Sequence, residues 1–150
     1  MDIRLLVKED APPMELLLEA DPSEKLVNSY LAEGRCYIAE TEGKLVGVYV
    51  LLALSETAAE IKNIAVDRAE RGKGYGKKII AHALEQAEDA GFQHVEIGTG
   101  NSSFDQLALY QKCGFRMKSI EPDFFTHHYS EPIIENGLLC QDMVRLQYSF

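Results

Sequence analysis

Arg71-Gly72-Lys73-Gly74-Tyr75-Gly76 decides how this chain is read, because it joins a β-like run, Glu60 to Val66, to a strongly helical one, Lys77 to Ala90. A strand that feeds a glycine-rich turn opening a helix makes an anion site. Glycines let backbone N–H groups converge without interference from Cβ atoms, and the first N–H groups of the new helix are unpaired at the positive end of its dipole. Arg71, Lys73, Lys77 and Lys78 add cationic side chains in a chain whose formal net charge is −9. Basicity against that overall trend marks a phosphate cradle.

Rival phosphate motifs fail on position. A P-loop requires glycine five residues before Gly76, where Arg71 stands, and Ser or Thr after Lys77, where Lys78 stands. A dinucleotide fingerprint requires a third glycine that falls on Lys77 or on Ile79. Arg-x-x-Gly-x-Gly, at Arg71, Gly74 and Gly76, does match, and it resembles the pyrophosphate motif of the GNAT superfamily of N-acetyltransferases. Ile64-Ala65-Val66 before the turn and Leu109-Tyr110-Gln111-Lys112-Cys113-Gly114-Phe115 after it resemble the two halves of that family's acetyl-CoA core. The resemblance is sharp from Glu60 to Phe115 and general elsewhere.

At 150 residues the chain is expected to form one domain over 1–150, long enough to bury about two thirds of its unfolded surface. Cys36, Cys113 and Cys140 are odd in number and embedded in apolar patterns, so they indicate neither a disulfide framework nor a zinc site. They read as reduced cytoplasmic thiols. No apolar run approaches the roughly 20 residues of a membrane span, and Met-Asp-Ile-Arg lacks the order of a signal peptide. A pI near 4.9 argues against nucleic acid as a partner and suits cationic ones.

Periodicity then orders the chain. Asp2 to Val7 reads as a strand. Asp10 before Pro12-Pro13 and Asp21 before Pro22 read as N-caps of two helices ending near Ala20 and Gly34. Cys36–Thr41 and Lys44–Leu54 read as a hairpin turning at Glu42-Gly43, followed by a strand over Ala58–Val66. Ile79, Ile80, Ala83, Leu84 and Ala87 share a helix face closed by Gly91, and His94–Ile97 follows as a strand. A helix capped by Ser102 or Ser103 and ending at Cys113-Gly114, a strand over Phe115–Ile120 and another over Leu138–Tyr148 complete the order β-α-α-β-β-β-α-β-α-β-β. That is a mixed α/β sandwich, a central mixed sheet flanked by helices, and it matches the GNAT arrangement.

Acetyl transfer from a thioester to an amine makes three demands. The carbonyl oxygen gains charge in the transition state, where one aimed N–H is worth roughly 2.7 to 4 kcal/mol. By resemblance the backbone of Ile64, Ala65 and Val66 holds the pantetheine arm and that carbonyl, with Ile64 N–H as the donor, and the turn Arg71, Gly72, Lys73, Gly74, Tyr75, Gly76 and Lys77 holds the diphosphate. The amine must be unprotonated, which for a pKa of about 10.4 costs on the order of 4 to 5 kcal/mol near neutral pH. Glu60, four residues before Ile64, matches the glutamate base of the histone-acetyltransferase branch; a water chain, or Glu56, Glu96 or Asp105, competes. The departing thiolate needs a proton, and Tyr110 stands where the family keeps a tyrosine for it. Seven residues earlier the family often has Asn, and this chain has Ser103, two helical turns from Tyr110; Asn101 is the other pantetheine contact considered.

Pro122 to Gly137, with Phe124, Phe125, His127, His128, Tyr129 and Glu131, is the least family-like stretch. It reads as an acceptor pocket or as an ordered surface loop or homodimer contact. Adjacent His127 and His128 lack metal-ligand spacing, so no metal is expected. Cys113, at a helix C-terminus whose dipole opposes a thiolate, is a poor nucleophile. The resemblance therefore implies acetyl-CoA as cosubstrate and direct transfer to a primary amine of a small molecule or peptide. The alternative is a non-catalytic acyl-CoA-binding sensor or interaction module.

Overall fold

Near-continuous apolar runs such as Cys36–Ala39 and Val46–Leu52 give this protein a sheet covered on both faces. The computed structural model describes residues 1–150. In chain order the elements are β1 (Asp2–Leu5), α1 (Met14–Ala20), α2 (Glu24–Glu33), β2 (Arg35–Thr41), β3 (Lys44–Ala53), β4 (Ala58–Val66), a 3₁₀ turn (Arg68–Glu70), α3 (Tyr75–Asp89), β5 (His94–Gly100), α4 (Phe104–Lys112), β6 (Arg116–Glu121), α5 (Phe124–His128), β7 (Ile134–Glu135), β8 (Leu138–Leu139) and β9 (Met143–Ser149). Seven strands form one sheet in the order β1-β2-β3-β4-β5-β9-β6, and β7 and β8 pair separately. Only β4 and β5 run parallel, across the α3 crossover.

The period of two decides which residue meets which helix. Cys36 and Ile38 of β2 join Leu17 of α1 and Val27 of α2 on one face, while Tyr37 and Ala39 join Ile79, Ile80 and Ala83 of α3 on the other. Each fully buried aliphatic side chain contributes about 1.5 to 3 kcal/mol relative to an exposed one. The β2–β3 turn at Glu42-Gly43 has φ of +52° and +77°, the paired positive values that a two-residue hairpin turn demands.

What opens a site is a failure of pairing. β4 and β5 are in register from Ala58↔His94 to Ile61↔Ile97 and then separate, although β4 runs on to Val66 and β5 to Gly100. One edge of β4 from Asn63 onward is left without a strand partner. A bulge helps set the divergence: Leu51 of β3 opposes Ile61 and Val50 opposes Asn63, so Lys62 is the extra residue.

Three expectations are corrected. Asp10 caps no helix: α1 starts at Met14 after Pro13 with no side-chain cap, and Asp10 instead accepts from Val7 N and pairs with Arg4. Ser23, not Asp21, caps α2, its Oγ accepting from Leu26 N at 3.3 Å. The single strand expected over Leu138–Tyr148 is two, β8 and β9, interrupted where Asn101 Oδ1 accepts from Gln141 N and Asp142 N. No helix is long and apolar enough to cross a membrane.

Candidate active site

The glycine turn folds as its composition dictates. Gly72 and Gly74 have φ of +79° and +82°, and a Cβ at either would meet no protein atom within 4 Å. The left-handed backbone therefore requires glycine here, whereas at Gly76 a Cβ would stand 3.2 Å from Leu109 Cδ2 of α4, a tight contact. Backbone N–H groups from Gly72 through Lys77 find no acceptor in the protein before Lys78 N reaches Gly74 O. Consecutive free donors at the start of a 15-residue helix form an anion cradle.

The cations around that cradle are not equally available. Arg71 Nε donates to Val66 O at 3.1 Å and its Nη2 lies 3.5 Å from Glu19 of α1. Lys73 bonds Glu70 at 2.8 Å, and Lys44 bonds the same carboxylate at 3.4 Å; these donors hold the Glu70 carboxyl below its usual range. Lys77 and Lys78 are exposed and make no ion pair, with Lys78 Nζ 6.0 Å from the Tyr75 ring centre.

Where β4 and β5 part, a cleft of about 600 Å³ opens on the α1–α2 face. Its walls bring together Glu60, Ile64, Ser103 and Tyr110. Glycines at 98 and 100 on β5 keep the floor low: a Cβ there would meet Met143 Sδ at 2.7 Å or crowd Cys140. The glycine turn and Asn101 lie outside this cleft. The Asn101 amide is spent on the backbone of Leu139, Gln141 and Asp142.

Tyr110 is 4% exposed, against Phe115, and its hydroxyl bonds no protein group. Burial, with the neighbouring Cys113, pushes its phenol above the ordinary value, so the proton stays on oxygen throughout the neutral range. Glu60 is 5% exposed. Its Oε2 accepts from Arg145 Nη2 at 3.1 Å and its Oε1 lies 3.7 Å from Lys62 Nζ. Among the competing carboxylates, Glu96 is tied to Lys118 and Arg145, and Glu56 and Asp105 are exposed outside the cleft. Ser103 begins α4 without capping it; its Oγ donates to Glu135 Oε1 at 3.0 Å.

The unfamiliar stretch from Pro122 roofs the cleft. Phe124, Phe125, His128, Tyr129 and Glu135 line it, and Tyr129 OH donates to Asp21 Oδ1 at 2.7 Å, tying the roof to the α1–α2 corner. Asp21 also accepts from Tyr30 OH at 3.0 Å, and Asn63 Nδ2 donates to that hydroxyl at 2.8 Å. Asn63 carries no assignment in the sequence reading, and Asp21 stands there only as a helix cap. Their signal is polarity inside an apolar pattern: Asn63 is 4% exposed in the middle of β4.

A model described as the acetyltransferase (GNAT) family matches residues 4–115. The chain is 53% identical over 132 residues to an uncharacterized N-acetyltransferase, YvbK, of Bacillus subtilis (strain 168), covering 88% of this chain and 85% of that protein. The crystal structure of a GNAT family acetyltransferase from Elizabethkingia anophelis with acetyl-CoA bound is similar with a TM-score of 0.98, at 40% identity over 99% of this chain and 97% of its own. An IAA acetyltransferase from Bacillus cereus ATCC 14579 is similar with a TM-score of 0.95, at 51% identity over 99% of both.

Proposed function

The chain belongs to the GNAT family of N-acetyltransferases, and from that premise we propose that it is one acetyltransferase domain over 1–150 that moves acetyl from acetyl-CoA directly onto the primary amine of a cationic small molecule or peptide. The observation that carries the reading is the pairing of a free N–H cradle with a cleft that starts where β4 and β5 part. Acetyl-CoA fits that pairing: N–H groups of the Gly72–Lys77 turn, with Lys77 and Lys78, take the diphosphate, and the unpaired edge of Ile64, Ala65 and Val66 takes the pantetheine. Asn101 serves by holding the loop that carries Ser103.

In the proposed reaction an ammonium loses one proton toward Glu60, directly or through water. The freed nitrogen attacks the thioester carbon, so a C–N bond forms and the C–S bond breaks, and the sulfur leaves with its electron pair. Tyr110 hydrogen-bonds that sulfur and supplies its proton; the second nitrogen proton replaces it on Tyr110 through water, and Glu60 releases its own to solvent. Ammonium and acetyl-CoA thus yield amide, CoA thiol and one proton. The acid-rich surface and the carboxylates of Glu19, Asp21, Glu60 and Glu135 on the cleft support a cationic acceptor. A reduced cytoplasmic setting belongs to the same proposal, on the reading of Cys36, Cys113 and Cys140 as thiols.

Release of free CoA thiol across a panel of amines tests it, with acetyl-CoA binding measured by calorimetry in parallel. Turnover of a primary amine is expected. Tight acetyl-CoA binding with no turnover on any amine would replace the enzyme reading with that of an acyl-CoA sensor.

A further inference from the structure

We propose that Glu135 binds the acceptor's ammonium group and so selects primary alkylamines, an inference that rests on the N-acetyltransferase reading above. Glu135 ends β7, in a hairpin that turns at Asn136-Gly137 with φ of +52° and +75°. Such a two-residue turn fixes the register, here Ile134↔Leu139 and Glu135↔Leu138, and with it the side on which Glu135 emerges.

Three successive residues between β5 and α4 pin this hairpin in place. Asn101 Nδ2 donates to Leu139 O at 3.1 Å, Ser102 O accepts from Asn136 Nδ2 at 2.7 Å, and Ser103 Oγ donates to Glu135 Oε1 at 3.0 Å. The last bond explains serine at 103: its hydroxyl anchors a carboxylate on the same wall as Tyr110.

Availability separates Glu135 from the other cleft carboxylates. Glu60 is held by Arg145, with Lys62 nearby, and Glu19 pairs with Arg68 and Arg71. Asp21 accepts from Ser23 N, Tyr30 OH and Tyr129 OH. Glu135 pairs with no Lys or Arg, and its second oxygen takes part in no hydrogen bond or ion pair with the protein. A half-buried carboxylate with one oxygen anchored and the other unclaimed suits an ammonium, which brings three donors and the missing positive charge. Phe124, Phe125 and Tyr129 line the same cleft and offer apolar surface to the carbon body of the amine.

The test measures wild type, Glu135→Gln, Glu135→Asp and Glu60→Gln with n-butylamine, phenethylamine, putrescine and spermidine, reading CoA thiol release and acetyl-CoA affinity. Glutamine keeps the Ser103 contact and removes the charge, so Glu135→Gln should raise the amine KM about ten-fold or more, the scale of one charge-assisted hydrogen bond. Its kcat and acetyl-CoA affinity should stay within about three-fold of wild type, a split that loss of hairpin structure would not give. Glu135→Asp, which keeps the charge, should fall between the two. An amine KM in Glu135→Gln within about two-fold of wild type overturns the inference while leaving the transferase reading intact. If wild type acetylates none of these amines, selection of primary alkylamines is overturned, while turnover of another amine in the wider panel would keep the transferase reading.

Discussion

Arg145 reaches from β9 across β5 to Glu60 on β4, placing Nη2 3.1 Å from Oε2, and the same nitrogen lies 3.4 Å from Glu96 Oε1. The registers explain how. Glu60 is the parallel neighbour of Glu96, and Arg145 is the antiparallel neighbour of Gly98, which has no side chain to bar the way. Two adjacent carboxylates would repel; the guanidinium between them removes the conflict. Breaking such a buried pair by deleting one partner typically costs 3–5 kcal/mol, about the value of several surface ion pairs. Glu60 is therefore fixed through Oε2, while its Oε1 lies 3.7 Å from Lys62 Nζ.

Glu60→Gln separates base catalysis from charge attraction. If Glu60 draws the proton off the amine, the variant should lose turnover most at low pH and recover as rising pH deprotonates the amine unaided. Turnover at saturating amine, measured across pH for both proteins, decides it. A variant profile parallel to wild type, with no recovery at high pH, would rule out the proposed base.

Gly74→Ala tests the cradle. At φ of +82° a Cβ meets no protein atom, so the variant should fold, with a strain cost of about 1–2 kcal/mol. Gly43→Ala, at φ of +77° in the β2–β3 turn, carries the same strain far from the site and serves as the control. Acetyl-CoA affinity should drop at least about ten-fold for Gly74→Ala and hold for Gly43→Ala. Equal affinities in the two variants would mean the diphosphate lies elsewhere.

The parts that were legible from sequence are those where local chemistry and long-range packing agree. Ala58–Val66 and the glycine turn carry strand period, positive-φ glycine and helix onset in consecutive residues, and they fold as read. The sequence misplaces the α1 start because proline in a first turn is a local rule, while Asp10 answers to Arg4, six residues away. Glu60 was legible as a carboxylate beside the site. Its partner Arg145, 85 positions later, was not, since only the β4-β5-β9 strand order brings them together. The β7–β8 hairpin lies in the stretch that the sequence reading leaves as a pocket, surface loop or homodimer contact, because strands of two residues leave too short an alternation to weigh.

Tyr110→Phe keeps the ring against Phe115 and deletes a hydroxyl that bonds nothing in the protein. Because burial raises the phenol's pKa, its proton is present at every pH near neutrality, and activity should show no alkaline limb from this group below about 10. Loss of the donor should lower turnover by roughly 10²-fold with acetyl-CoA affinity unchanged, the usual scale for removing a general acid. Near-normal turnover with chemistry rate-limiting would leave Tyr110 a packing residue.

Alkaline stability gives a prediction independent of any acceptor. Tyr30, Tyr49, Tyr110 and Tyr129 all have phenols pushed above the ordinary value of 10.0, in each case first by burial. The unfolded chain then releases these protons at lower pH than the folded one. A raised folded value contributes stability that is fully present below about pH 10 and is lost as pH climbs toward the folded value, at about 1.4 kcal/mol per pH unit for each tyrosine. Tyr49 is the test position, fully buried and sharing a 2.7 Å hydrogen bond with His82 Nδ1, whose imidazole burial keeps toward the neutral form. Urea unfolding between pH 8 and about 11 should show stability nearly level at first and then falling steeply. Tyr49→Phe should begin less stable, having lost the His82 bond, and then fall by about one tyrosine's slope less. A wild-type curve that stays flat to about pH 11, or a Tyr49→Phe curve with the full wild-type slope, would show that these phenols ionise in the native state as readily as in the unfolded chain.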